Sequence, residues 1–121
     1  MKHQHFDVET AGFYGAYWAC AGGSDCAVIA MIGDDPEDWL ARSAVKWLCG
    51  RGVNVLTMSP AKKDYGHHNY PLERVETAIS WLKANGNHKI GIAGASTTGT
   101  LALTAAAMFP DLTLTIAMTP S

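Results

Sequence analysis

Lys89-Ile90-Gly91-Ile92-Ala93-Gly94-Ala95-Ser96-Thr97-Thr98-Gly99 passes, with no spacer, from a short apolar run into a long uncharged one. Residues 89–93 have the small and β-branched composition of a strand buried on both faces. Residues 97–109 form an almost entirely apolar helix that ends at Pro110. The uncharged stretch 91–110 has the length of a membrane span. Its five Ser and Thr, its three Gly and its terminal proline divide it instead into a buried strand and a buried helix.

Working outward, the same alternation recurs. Residues 27–32 are continuously apolar and stop at Gly33, a second strand covered on both faces. Asp35-Pro36-Glu37-Asp38 opens a helix, with Asp35 as cap, Pro36 in the first turn and carboxylates at the positive end of the dipole. Leu40, Ala44, Trp47 and Leu48 are its expected apolar stripe, and Gly50 and Gly52 stop it. Residues 53–58 form the next strand, and a polar loop, 59–70, leads to Pro71 and a helix with Leu72, Val75, Ile79 and Leu82 at helical spacing. Residues 112–118 form the last strand. The first 26 residues are less regular: the alternation Phe6-x-Val8 and the aromatic run 13–18 predict one or two strands, as in a hairpin.

Strands alternating with helices of this length predict an α/β fold, a mostly parallel sheet with helices on both faces. The expected organisation is one domain, with N-terminal strands in 1–26 and a βαβ core with the Gly-x-Ser turn in 27–121. Chemistry in such a sheet belongs at the carboxyl ends of the strands. Those ends carry Gly33-Asp34-Asp35, residues 59–70, residues 94–99 and Thr119-Pro120-Ser121.

The 121 residues are 48% hydrophobic and 17% charged, a balance suited to one packed core and not to disorder; no internal repeat is present. Nine Lys and Arg against eleven Asp and Glu leave a formal charge of −2, without the basic excess that nucleic-acid binding or a polybasic membrane anchor needs. The opening Met1-Lys2-His3-Gln4-His5-Phe6-Asp7 is polar where a signal peptide is apolar. Cys20, Cys26 and Cys49 are odd in number and follow neither zinc nor redox spacing, as expected of packed thiols in a reducing compartment. The expectation is a cytoplasmic chain with no cofactor, no metal, no nucleic-acid partner and no membrane partner.

Ser96 stands where strand gives way to helix, the setting that gives a Gly-x-Ser turn its meaning. A tight turn there lifts the hydroxyl above the sheet, and the helix N-terminus supplies free N–H groups and partial positive charge. That combination suits a nucleophile whose reaction passes through a tetrahedral oxyanion. Two other readings stand beside it. Ser96, Thr97 and Thr98 are all good N-cap residues. Gly94 and Gly99 also match the glycine half of a phosphate-binding loop, although Thr100 and Leu101 occupy the positions of its Lys and its Ser or Thr.

This order of elements, with the Ile32-Gly33-Asp34 turn and the Gly-x-Ser elbow, resembles the first half of an α/β-hydrolase. More narrowly, residues 89–99, the helix 71–86 before them and Leu101-Ala102-Leu103 after them resemble the acyl-CoA thioester hydrolase and bile acid-CoA:amino acid N-acyltransferase C-terminal domain. The likeness covers residues 27–121. It implies Ser96 as nucleophile, the backbone N–H groups of Thr97 and Asp34 as oxyanion donors, and acyl esters or thioesters as substrates, hydrolysed or transferred through an acyl-Ser96 intermediate. Gly33-Asp34-Asp35 reads equally as a helix-capping turn.

Two departures qualify the resemblance. Thr98 stands where Gly-x-Ser-x-Gly has its second glycine, with Gly99 one position later. In this superfamily an acid and a His follow the nucleophile, whereas here Asp111 is the one acidic residue after Ser96 and no His follows. The resemblance therefore implies the N-terminal part of a hydrolase, weakly active or inactive alone, since an unassisted serine hydroxyl is a poor nucleophile. His67 and His68, with Asp64 nearby, lie in the loop of the strand expected two positions from that of Ser96, about 10 Å away. They are candidates for a base or for a substrate rim. Strand 112–118, apolar and without a following unit, is a template for pairing with a second copy or a complementing chain.

Overall fold

The computed structural model describes residues 3–32, 35–58, 72–95 and 97–118. Along the chain these form β1 (Gln4–Phe6), α1 (Val8–Ala11), β2 (Gly15–Trp18), β3 (Cys26–Met31), α2 (Trp39–Cys49), β4 (Asn54–Met58), α3 (Leu72–Ala84), β5 (Lys89–Ala95), α4 (Thr97–Met108) and β6 (Leu112–Met118). One six-stranded sheet results, in the order β1-β2-β4-β3-β5-β6. From β4 to β6 every pairing is parallel, and β1 and β2 add an antiparallel edge.

Crossover handedness sets the layers. The step β3–α2–β4 runs one way across the sheet, and β4–α3–β5 runs back over β3, so right-handed connections place α2 and α3 on opposite faces. The step β5–α4–β6 runs in the same direction as that of α3, and α4 joins α3. The cores follow this division. Ala27, Ile29 and Met31 of β3 pack with Val75, Ile79 and Leu82 of α3 and Ala102 and Ala105 of α4. Val28 and Ala30, pointing the other way, pack with Val45 and Leu48 of α2 and with Trp18. Burial on both faces is why β3 reads as an unbroken apolar run.

Three local expectations are corrected. Val8 does not continue a strand: it begins the one-turn α1, closed by the Ala11 N–H on the Asp7 carbonyl (2.9 Å) and ended at Gly12, whose φ is +84°. The aromatic run pairs only from Gly15 onward, where a Cβ would lie 2.5 Å from the Thr57 carbonyl, so only glycine lets β2 approach β4. Helix α2 starts one turn later than Asp35. Asp35 closes a turn of its own, accepting from the Glu37 N–H (3.0 Å), and Asp38 caps the helix by accepting from the Ala41 N–H (2.8 Å). The buried face of α2 is accordingly Ala41, Val45 and Leu48, while Leu40 and Trp47 remain 42% and 56% exposed.

The edge opposite the candidate chemistry is held by a buried amide pair. Asn54 accepts from the Cys20 N–H (2.9 Å) and donates to Asn87 Oδ1 (2.9 Å) and the Ser24 carbonyl (3.1 Å). Asn87 in turn donates to the Leu82 carbonyl (3.1 Å), tying the end of α3 to the foot of β4. A buried donor or acceptor stripped of its partner costs about 1–3 kcal/mol. Asn54→Ala strands several, so chemical denaturation is expected to show a loss of about 2–3 kcal/mol. The exposed Asn85→Ala should stay within about 0.5 kcal/mol of the parent, and equal effects from the two would show that the network contributes nothing.

Candidate active site

The carboxyl ends of the parallel strands lie on one edge of the sheet. Met31 of β3 is level with Gly94 of β5, Ala95 of β5 with Met118 of β6, and Thr57 of β4 with Ala30 of β3. The stretches that leave from these ends, 33–34, 59–71, 96 and 119–121, lie outside the described residues. Asp34, His67, His68 and Ser96 are therefore placed only through their neighbours. For Ser96 the neighbours are close: β5 ends at Ala95 and α4 begins at Thr97, leaving one residue between strand and helix.

Strand β5 is flanked on both sides by parallel strands, β3 and β6, so the junction sits inside the sheet and not at its margin. Helix α4 runs for twelve residues from Thr97, and its first N–H groups lack intrahelical acceptors. Thr97 is thus the first residue of the helix whose positive end adjoins Ser96. β4, whose end leads into the loop of His67 and His68, is separated from β5 by β3 alone, a span of about 10 Å. Asp111 lies at the foot of β6, about 20 Å of strand from the junction edge, and pairs with Lys83 at 2.8 Å. It is not placed to act with Ser96. The foot of the sheet also carries a cavity of about 660 Å³ between α3 and the end of α4, bordered by Glu76, Ser80 and Asp111, equally remote from the junction. His88 is at that foot too, its N–H bonded to the Asp25 carbonyl (2.8 Å).

The segment after Asp34 is anchored by residues that periodicity does not reveal. Buried Thr57 donates its hydroxyl hydrogen to the Pro36 carbonyl (2.7 Å) and accepts from the Trp18 indole N–H (3.0 Å). Glu37 is clasped by His3 and His5, through His3 Nε2 on one oxygen and His5 Nδ1 on the other (2.9 Å), and His5 also meets Asp7 (3.1 Å). His3 stacks on Trp18 with centroids 4.1 Å apart. Tyr14 donates to Asp35 (3.4 Å), and its phenol is pushed above its ordinary pKa by burial and by the charge of Asp35. His3, partly exposed, and His5, exposed, thus hold Glu37 from the surface. Their partner lies more than thirty residues away, and no local signal predicts it.

Among the described residues no group of His, Cys, Asp and Glu is arranged to hold a metal ion, and no helix is long and apolar enough to cross a membrane. The three cysteines are free thiols, with Cys20 buried and Cys26 and Cys49 partly so.

The fold has known counterparts. The α/β hydrolase GrgF from Penicillium sp. sh18 superposes with a TM-score of 0.75 at 22% identity, over 98% of this chain and 45% of its own. A cold-adapted esterase from an Arctic intertidal metagenomic library superposes with a TM-score of 0.66 at 19% identity, over 84% of this chain and 52% of its own. An esterase from Pyrococcus furiosus gives 0.67 at 17%, over 95% and 53%. No family model matches the sequence, and no characterised protein matches it by sequence alone. The chain therefore has the α/β-hydrolase fold and spans about half the length of the solved structures that share it.

The Glu37 clasp has a signed pH dependence. Burial raises the carboxyl pKa, but the hydrogen bonds and charges of His3 and His5 outweigh it and hold the group below its ordinary value. A folded pKa below the unfolded one, about 4.3, stabilises above that pH and loses the contribution as pH falls through the lowered value. The melting temperature is expected to fall more steeply below about pH 5 in the parent than in Glu37→Gln; parallel profiles would show that the clasp contributes no stability.

Proposed function

We propose that the chain carries the nucleophile-bearing part of a serine hydrolase acting on acyl esters or thioesters. The observation that supports this most is the single-residue junction between β5 and α4, inside the sheet and at the carboxyl edge, occupied by Ser96. The names of the solved counterparts, two of them esterases, agree with acyl transfer to water as the reaction class. The finer likeness to the acyl-CoA thioester hydrolase and bile acid-CoA:amino acid N-acyltransferase C-terminal domain rests on residues 89–99, the helix 71–86 before them and residues 101–103 after them, and extends the proposal to thioesters and to acyl transfer. The free thiols suit a cytoplasmic setting.

The chemistry follows from these roles. Ser96 Oγ attacks the acyl carbonyl as a base takes its proton, and the backbone N–H groups of Thr97 and Asp34 hold the oxyanion. Collapse breaks the bond to the alkoxide or thiolate, which leaves with that proton, and acyl-Ser96 remains. Water or an acceptor amine then attacks the acyl carbon and restores the Ser96 hydroxyl. His67 or His68 is the candidate base within these residues; without one, activity is weak or nil.

Intact-mass spectrometry after incubation with a fluorophosphonate, with peptide mapping, tests the assignment. Labelling is expected at Ser96 and should vanish in Ser96→Ala. If the 59–70 loop supplies the base, replacing His67 and His68 together by Ala should slow labelling by about 10²–10⁴-fold. An unchanged rate would assign the base elsewhere, and a label that persists in Ser96→Ala would overturn Ser96 as nucleophile.

A further inference from the structure

The segment between β3 and α2 is tied more heavily than a helix start requires. A helix start needs a cap, and Asp38 provides it by accepting from the Ala41 N–H (2.8 Å). Each of the three residues before Asp38 is also held from elsewhere in the chain. Tyr14 donates to Asp35 Oδ2 (3.4 Å). His3 and His5 hold the Glu37 carboxylate, and Arg42 Nε donates to the Glu37 carbonyl (2.8 Å). Pro36 has no N–H to offer and is held by its carbonyl, 2.7 Å from Thr57 Oγ1.

That last tie differs from the others in lying out of water. His5 and Arg42 are exposed, so water competes for the bonds they make. Thr57 is fully buried, in a strand where Val55, Leu56 and Met58 are apolar. Alternation puts Thr57 on the same face of β4 as Val55, towards α2, where a β-branched valine would serve packing alone. What threonine adds is the hydroxyl. It accepts from the Trp18 indole N–H (3.0 Å), and of the two carbonyls within reach, Pro36 (2.7 Å) and Ala16 (3.2 Å), its single hydrogen serves the nearer. Thr57 is level with Ala30, and each is one residue from the carboxyl end of its strand. The bond to Pro36 therefore joins the carboxyl edge of the sheet to the segment that follows Asp34 in sequence.

We propose that Thr57 is a positioning residue for the backbone N–H of Asp34, acting through the Pro36 carbonyl. The inference rests on the hydrolase reading above, in which Asp34 supplies an oxyanion donor to the reaction of Ser96. A displacement of about 1 Å caused far from the reacting atoms can cost about 10²-fold in rate.

Fluorophosphonate labelling of Ser96, followed over probe concentration, separates the limiting rate from the half-saturating concentration. The phosphonyl oxygen calls on the same donors as an acyl oxyanion. Thr57→Val is expected to lower the limiting rate by about 10–100-fold with half-saturation unchanged within about twofold. Thr57→Ser, which keeps the hydroxyl, should remain within about threefold of the parent. Should Thr57→Val fail to fold because it strands the indole N–H, Trp18→Phe combined with it removes that donor and takes its place. Hydrogen exchange gives a second readout: the amides of residues 34–38 should exchange about tenfold faster in Thr57→Val, with those of β5 unchanged. A parent not labelled at Ser96 would overturn the hydrolase reading and this role with it. A labelled parent matched by Thr57→Val in limiting rate would overturn this role alone. Unchanged exchange at 34–38, or a uniform rise along the chain, would also overturn it, since Thr57 would then contribute only to global stability.

Discussion

Strand β3 is paired in parallel on both sides and buried on both faces, and the rest of the fold is placed by that double constraint. Its partners β4 and β5 come to the same level, Ala30 beside Thr57 and Met31 beside Gly94. The loops after all three strands are consequently delivered to one edge. A one-residue slip would turn Ile29 and Met31 from the α3–α4 core to the α2 side, so the register is fixed by hydrophobic burial as well as by backbone bonds. Positioning the candidate chemistry is therefore a task of the apolar core.

The second constraint is polar. Thr57 is fully buried within β4, yet its hydroxyl joins the Trp18 indole to the Pro36 carbonyl, linking strand β2 to the turn before α2. Each of those groups would otherwise be buried without a partner, at about 1–3 kcal/mol apiece. Outside this link, the Glu37 clasp fastens β1 to the same turn. Asp34, the oxyanion donor proposed above, directly precedes that anchored segment in sequence, and such a donor acts only when held about 2.7–3.1 Å from the developing charge. The short antiparallel edge thus stiffens the turn from one side while α2 holds it from the other.

The parallel core was readable from the sequence because each βα unit carries its own signals: an unbroken apolar run, a terminal glycine or proline, a helical repeat. The breaks between β3, α2, β4, α3, β5, α4 and β6 fall within one to four residues of where those signals put them. The errors come where two residues compete for one task. Both Asp35 and Asp38 can cap, and the tether from Thr57 to Pro36 favours a separate turn followed by a cap at Asp38. Shifting the start moved no residue along the helix, but it is the sheet that selects which side is buried. Of the expected stripe of Leu40, Ala44, Trp47 and Leu48, the sheet buries Leu48 together with Ala41 and Val45, and leaves Leu40 and Trp47 exposed. Of the candidate site, the junction at Ser96 was evident from strand and helix patterns alone. The His3–Glu37–His5 clasp was not, since it joins an edge strand to a helix turn over a long loop of sequence.

What the junction can and cannot supply follows from magnitudes. A preorganised oxyanion donor is worth about 3–4 kcal/mol to an acyl-transfer transition state, and a helix N-terminus adds up to about 2 kcal/mol where partly buried. Neither removes the proton from a serine hydroxyl. A positioned general base contributes a further factor of about 10²–10⁴, some 3–5 kcal/mol, and acts only within hydrogen-bond reach of the proton it takes. His5, the His nearest the carboxyl edge among the described residues, belongs to β1, four strand positions from β5 and about 19 Å away. It is also committed to Glu37 and Asp7. In the proposed reaction, electrostatic stabilisation would come from the turn and helix of the core fold, whereas proton transfer would require a group brought in by a long loop or by further chain. For the chemistry proposed at Ser96 the two contributions are separable, so its rate would be set by a residue from another part of the molecule.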